Sequence, residues 1–126
     1  MKKIKIIHIN LSSGFAGAER HMIDLINHQS KDYKTYLIKS KKNTFINYSI
    51  VEKNTKIYKI SNFFKRNFLK KIIQKINPDI VHHITLKPVI YGSLIAKFLK
   101  IRGVVNAISG LGYNFTEGRK SMVQKV

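Results

Sequence analysis

Short apolar, β-branched runs alternate along the chain with longer segments of helical periodicity. Residues 4–11 are apolar enough throughout to predict a strand covered on both faces. In residues 18–29, Ala18, Met22, Leu25 and Ile26 recur at a spacing that puts them on one helix face. Residues 33–39, with Tyr33, Thr35, Tyr36, Leu37 and Ile38, predict a second strand, and residues 55–60 a third. Between these two, residues 40–54 are rich in lysine and asparagine and weakly patterned, which predicts a loop with room for a short helix around 45–50. Ser61 or Asn62 caps a helix running to about Ile76, with an expected buried stripe of Phe64, Phe68, Ile72 and Ile76, widened by Leu69 and Ile73. Pro78 stops it, because proline drives its predecessor out of the α region. Residues 79–85 predict a fourth strand, Pro88 suits the first turn of a helix running to about 100, and residues 104–108 predict a fifth strand. The order β-α-β-β-α-β-α-β predicts an α/β protein, a Rossmann-like, doubly wound parallel sheet with right-handed crossovers.

Two of these strands run straight into glycine-bearing loops. The first exits into Ser12–Ser13–Gly14–Phe15–Ala16–Gly17, and the fifth into Ser109–Gly110–Leu111–Gly112–Tyr113. In open α/β sheets ligands bind beyond the carboxyl ends of the strands. Both loops are therefore expected on one rim, as part of a ligand cleft. Gly14 and Gly17 precede a helix beginning near Ala18, so free amides and the positive helix end suit a phosphate there. The plainer alternative is a tight turn and nothing more. The spacing is neither that of a dinucleotide fingerprint nor that of an ATP-binding loop. Glu19, in the first helical turn, fits electrostatically without a functional role.

The charge balance adds a constraint on partners. The chain has 126 residues, 44% of them hydrophobic, which is one globular domain. It carries 24 Lys and Arg against 6 Asp and Glu, a formal net charge of +18. Such a field favours anionic partners: nucleic acid, lipid headgroups or phosphorylated ligands. Many individual lysines are equally explained as solvated residues in a chain that uses Lys, Ile and Asn heavily. The helix over 62–76 concentrates the charge, and Lys65, Arg66, Lys70 and Lys71 are the residues expected to face an anionic membrane, if they are not simply a solvated face. The absence of cysteine excludes disulfides and thiolate metal sites. No apolar run is long enough to span a membrane, and His8 and Asn10 interrupt the one that would serve as a signal peptide. A cytoplasmic location follows as the expectation, with association at the inner face of the membrane as its extension.

Few residues suggest chemistry directly. His82 and His83 are adjacent on a strand and face opposite sides, so one is expected in the cleft and the other packed. No third ligand is suitably spaced, so neither a metal nor any other cofactor is expected. Thr85 and Lys87 lie in the loop after that strand, where Lys87 can meet an anion. Tyr91, one turn further, suits stacking on a sugar ring, or is an ordinary core aromatic. There are no paired carboxylates placed for glycoside hydrolysis and no Ser/His/Asp pattern. The aromatics do not interleave with the basic residues as a single-strand nucleic-acid platform requires, so no specific nucleic acid is expected.

In order, Ala16–Gly17–Ala18–Glu19–Arg20, Pro78–Asp79–Ile80–Val81–His82, Thr85–Leu86–Lys87–Pro88, Tyr91–Gly92–Ser93–Leu94 and Ser109–Gly110–Leu111–Gly112–Tyr113 resemble motifs of the N-terminal half of family 4 retaining glycosyltransferases, in the capsular-polysaccharide branch. The resemblance implies one half of a GT-B fold, with residues 1–115 as the acceptor-side domain and 116–126 as a polar tail that reads as cut short. It implies transfer of a sugar from a nucleotide-sugar to a glycan acceptor, lipid-linked or free, in surface polysaccharide synthesis. By similarity Gly14, Gly17 and Ala18 approach the donor diphosphate, while His82, Thr85, Lys87, Tyr91 and Ser109, Gly110, Leu111, Gly112 and Tyr113 line the acceptor side. Ala16 stands where the family usually has glycine, and Ile84 where many relatives carry a second histidine. The family's nucleotide-binding domain, with its paired glutamates, has no counterpart here, so the donor is expected to bind only with such a domain present. A non-catalytic membrane subunit of a split transferase is the alternative, and a basic nucleic-acid-binding module ranks last.

Overall fold

The computed structural model describes residues 3–29, 31–61, 66–84 and 86–107. They form five strands and three helices in the expected order: β1 (Ile4–Asn10), α1 (Gly17–Gln29), β2 (Tyr33–Ser40), β3 (Lys56–Ile60), α2 (Arg66–Ile76), β4 (Ile80–Ile84), α3 (Leu86–Phe98) and β5 (Gly103–Ala107). All pairings are parallel, and the strand order is β3-β2-β1-β4-β5, so the chain reverses its direction of winding at β1. This is a Rossmann-like α/β sheet, consistent with one half of a GT-B fold. The expected 116–126 tail, the start of the second helix at 62–65 and the loop at 109–113 lie outside the described residues.

The alternation of side chains along each strand divides the core in two. Ile7 and Ile9 of β1, Tyr36 and Ile38 of β2 and Val81 of β4 meet Leu69, Ile73 and Ile76 of α2 and Ile95 of α3 on one face. On the other face Leu37 and Ile84 meet Met22, Ile23 and Ile26 of α1, joined by Ile46 and Val51 from the β2–β3 connection. Two expected helix stripes are corrected. In α1 it is Ile23, with Glu19, that is buried, while Leu25 is half-buried. In α2 Phe68 is exposed, and the buried ridge is Leu69, Ile73 and Ile76. The segment at 45–50 is a loop, as expected, and the short helix it had room for does not form; it is a chain of turns held by Asn43 and Asn47, whose side-chain oxygens accept the amides of Phe45, Ile46 and Ser49.

The helix ends follow local chemistry. Asn77 is left-handed (φ 53°), and its amide donates to the Ile73 carbonyl at 2.9 Å, ending α2 before Pro78. After α3, Lys100 is also left-handed (φ 57°), and the amides of Lys100 and Ile101 return to the carbonyls of Lys97 and Ala96.

One glycine is required by packing. A Cβ on Gly92 of α3 would sit 2.2 Å from His83 Nε2, so the helix can approach β4 this closely only without a side chain there. Gly92→Ala is therefore expected to lower stability by about 1–3 kcal/mol through overpacking. Gly17→Ala, where a Cβ meets nothing within 4 Å, should leave it unchanged or slightly raised. Urea unfolding of the two variants against the parent checks this.

Candidate functional site

The carboxyl end of β1 is where polar groups enter the interior. Asn10, fully buried, donates from Nδ2 to Glu19 Oε2 at 3.2 Å and accepts the Ser12 amide on Oδ1 at 2.9 Å. Glu19 is itself buried, and its Oε1 accepts the Ala16 amide at 3.0 Å. This is the carboxylate half of a capping box: the residue at the third helical position reaches back to the N-cap amide. Ala16, at the N-cap, has no oxygen to return. The first intrahelical bond runs from the Arg20 amide to the Ala16 carbonyl at 3.0 Å, so the amides of Gly17, Ala18 and Glu19 head the helix. Glu19 thus shapes the loop.

Beside this helix start lies a pocket of about 250 Å³, lined by Gly17, Ala18, His21 and Met22 of α1, His82 and Ile84 of β4, and Ala107 at the end of β5. The exits of β1 and β5 therefore share one rim. The space above Gly17 is open. Gly14 is equally unencumbered, but its carbonyl accepts Asn43 Nδ2 at 2.8 Å, which ties it to the β2–β3 connection, and it does not line the pocket.

The two adjacent histidines separate as strand geometry requires. His82 lines the pocket, whereas His83 is fully buried on the opposite face, with Nδ1 2.8 Å from Asn106 Oδ1. What the sequence did not disclose is the partner of His82: His8 on β1, paired in register with it, Nδ1 to Nδ1 at 2.9 Å. A single proton serves that contact, so one ring donates and the other accepts. Burial, reinforced by the charge of His82 and opposed by Gln29, pushes His8 from 6.5 down to about 3. His8 Nε2 and Gln29 Oε1 are both buried without a formed hydrogen bond, yet Gln29 favours a proton on His8. The ring that accepts on Nδ1 carries its proton on Nε2, and the ring that donates from Nδ1 keeps Nε2 as an acceptor. His82 is likewise held low, by burial first and then by His83 and His21.

Of the other expected site residues, Tyr91 is half-buried on α3 and is not among the residues lining this pocket. Thr85 and Ser109, Gly110, Leu111, Gly112 and Tyr113 lie outside the described residues, as does the side chain of Lys87. Of the four basic residues expected to face a membrane, Lys70 is half-buried, with Nζ 3.8 Å from the Phe98 ring centroid, and Lys71 is exposed. Lys65 and the side chain of Arg66 lie outside the described residues. His21 was missed altogether; its position one turn after Gly17 was the available signal. Among the described residues no group of three or more His, Asp or Glu is placed to hold a metal ion.

The sequence profile of a family described as "Glycosyl transferase 4-like" matches residues 6–126. No curated protein matches the chain. Among solved structures, "PPC decarboxylase mutant C175S complexed with pantothenoylaminoethenethiol" is similar at 10% identity and a TM-score of 0.49, over 98% of this chain and 79% of that one. A likeness so slight bears on neither fold nor function.

The buried histidines make stability depend on pH. His8, His82 and His83 are all held below 6.5 in the fold, so below that pH the unfolded chain takes up protons that the folded one refuses. Stability is then fully present above pH 6.5 and is lost as pH falls, for His8 down to about 3. His8 alone contributes about 1.4 kcal/mol per pH unit in that window, hence about 2 kcal/mol between pH 6.5 and 5. His8→Asn should flatten the dependence by that amount in urea unfolding at pH 7.5 and 5.

Proposed function

The chain belongs to the glycosyl transferase 4-like family, and from that premise we propose that it is the acceptor-binding half of a retaining glycosyltransferase. It moves a sugar from a nucleotide-sugar to a glycan acceptor that is lipid-linked, in surface polysaccharide synthesis. The observation that carries this reading is the pocket at the sheet rim, where the open N-terminus of α1 at Gly17 and Ala18 stands beside His82 and the end of β5. The helix end suits the donor diphosphate. A neutral His82 suits a sugar or acceptor hydroxyl, which its Nε2 can orient by hydrogen bonding in either tautomer without becoming charged. Gly14 contributes by placing the loop rather than by contact. Thr85, Lys87, Tyr91 and Ser109–Tyr113 remain the proposed acceptor side. A second domain supplies the contacts to the donor's base and ribose.

Two variants test this. His82→Ala should weaken acceptor binding or transfer by about tenfold, the loss of one hydrogen bond, and should also lower the melting temperature, because it strips the buried His8 of its partner. Gly17→Val should block donor-dependent transfer without unfolding the chain, because its side chain fills space that is open in the parent. Transfer is read with a panel of nucleotide-sugars and lipid-linked glycans, with and without a donor-binding domain. Unchanged activity in both variants overturns the site assignment. Robust turnover by these 126 residues alone overturns the need for a second domain.

A second reading, peripheral contact with an anionic membrane, is favoured by a specific feature. Ile90, Leu94 and Phe98 recur every fourth residue along α3, 51%, 57% and 69% exposed, and Phe68 of α2 is 49% exposed. Lys70 and Lys71 lie on the neighbouring helix, and Lys97 beside Phe98. No helix among the described residues is long and apolar enough to cross a membrane, so such contact would be interfacial. Leu94→Ser with Phe98→Ser should release the chain from vesicles containing anionic lipid in a flotation assay. Binding that ignores both salt and anionic lipid would sink this reading.

A further inference from the structure

Two strands away from the histidine pocket, the same rim carries a second and chemically different cavity. Lys39 of β2 and Lys59 of β3 are direct partners in the parallel register. Like charges set opposite one another in a sheet are unfavourable. Together with Lys41 they line an open pocket of about 390 Å³, whose remaining polar walls are Thr44, Asn47 and Tyr48. No carboxylate is among the lining residues. Three cations around one cavity, in a chain with only 6 acidic residues, call for an anion from outside.

The lysines are not equivalent. Lys39 is buried, and its ammonium donates to the Asn43 and Ile46 carbonyls, so it holds the β2–β3 connection in place. Burial, and then the charge of Lys59, hold the Lys39 ammonium below its ordinary range. Lys41 and Lys59 are exposed and uncommitted to such a structural task. Tyr48 accepts the Ile57 amide on its hydroxyl at 3.2 Å, which fixes the ring at the mouth and leaves its O–H to donate. The wall is also coupled to the first site. Asn43 Nδ2 donates to the carbonyls of Ser12 and Gly14, at 3.0 and 2.8 Å, bracing the β2–β3 connection against the β1–α1 loop.

We propose that this basin binds a phosphate or diphosphate group, with Lys41 and Lys59 as its charged contacts, Tyr48 as a hydroxyl donor and Lys39 as the residue that positions the wall. Strands spaced by about 4.8 Å put the basin, two to three strands from β4, roughly 10–15 Å along the rim from His82. One extended substrate can reach both, with its reacting sugar at His82 and its phosphate here. That extension rests on the sugar-transfer reading; the anion site itself does not.

The test is calorimetric titration of the full chain with pyrophosphate and with inorganic phosphate. Saturable binding is expected, weakened at least about tenfold in the double variant Lys41→Gln/Lys59→Gln. A matched double variant on α2, Lys71→Gln/Lys75→Gln, removes the same charge and should retain the affinity. Without ligand the first double variant should melt no lower than the parent, since it removes a repulsion. No saturable binding, or equal losses in the two double variants, overturns the proposal, the latter because it would show a diffuse field rather than a site. Competition by a short-chain prenyl diphosphate glycan assigns the phosphate to the acceptor, and competition by a nucleotide-sugar assigns it to the donor. Either supports the site, and neither depends on turnover.

Discussion

Strand β1 lies in the middle of the sheet, bonded along both edges and covered on both faces, and the rest of the molecule is arranged around that constraint. A strand so placed has no solvent to turn to. Any polar side chain on it needs a partner inside the protein, or costs about 1–3 kcal/mol. Two such residues, His8 and Asn10, point to the α1 face near the carboxyl end. Their partners, His82 and Glu19, are what build the pocket wall and the loop in front of it. The candidate site thus lies where the fold most needs polar compensation.

The same constraint explains why the pocket is open. Helix α1 covers β1 and β2 on its face, with Leu37 and Met22 in one cluster, and the β2–β3 connection closes the flank through Ile46 and Val51. Over β4 and β5 no described element lies on that side, and Val105, beside His82 in register, is 51% exposed. The opposite face is filled instead: α3 presses Gly92 onto His83, and Ser93 joins Asn106. Two adjacent histidines therefore live in different worlds, one at a cavity wall and one locked in packing, because consecutive strand residues face opposite sides of the sheet.

The charge has structure too. With so few carboxylates, lysines cannot be neutralised pairwise, and the fold handles them in distinct ways. Lys39 is wrapped by carbonyls, Lys70 lies over an aromatic face, and Lys41 and Lys59 border a cavity without acidic residues. These arrangements all leave an excess of positive potential at or near the surface.

The order and type of every element were legible from residue patterning, because short β-branched runs and helical spacing are local properties. Among the described residues, boundaries moved by a residue or two, and the segment at 45–50 stays a loop without the short helix it had room for, since asparagine side chains there bond the backbone and outcompete a helix turn. Tertiary structure alone decided the rest. No spacing in the chain announces that residue 8 stands opposite residue 82, or 39 opposite 59, because strand register is chosen by packing across the whole sheet. Which histidine faces the cleft, what holds it neutral, and where three lysines gather are all consequences of that register.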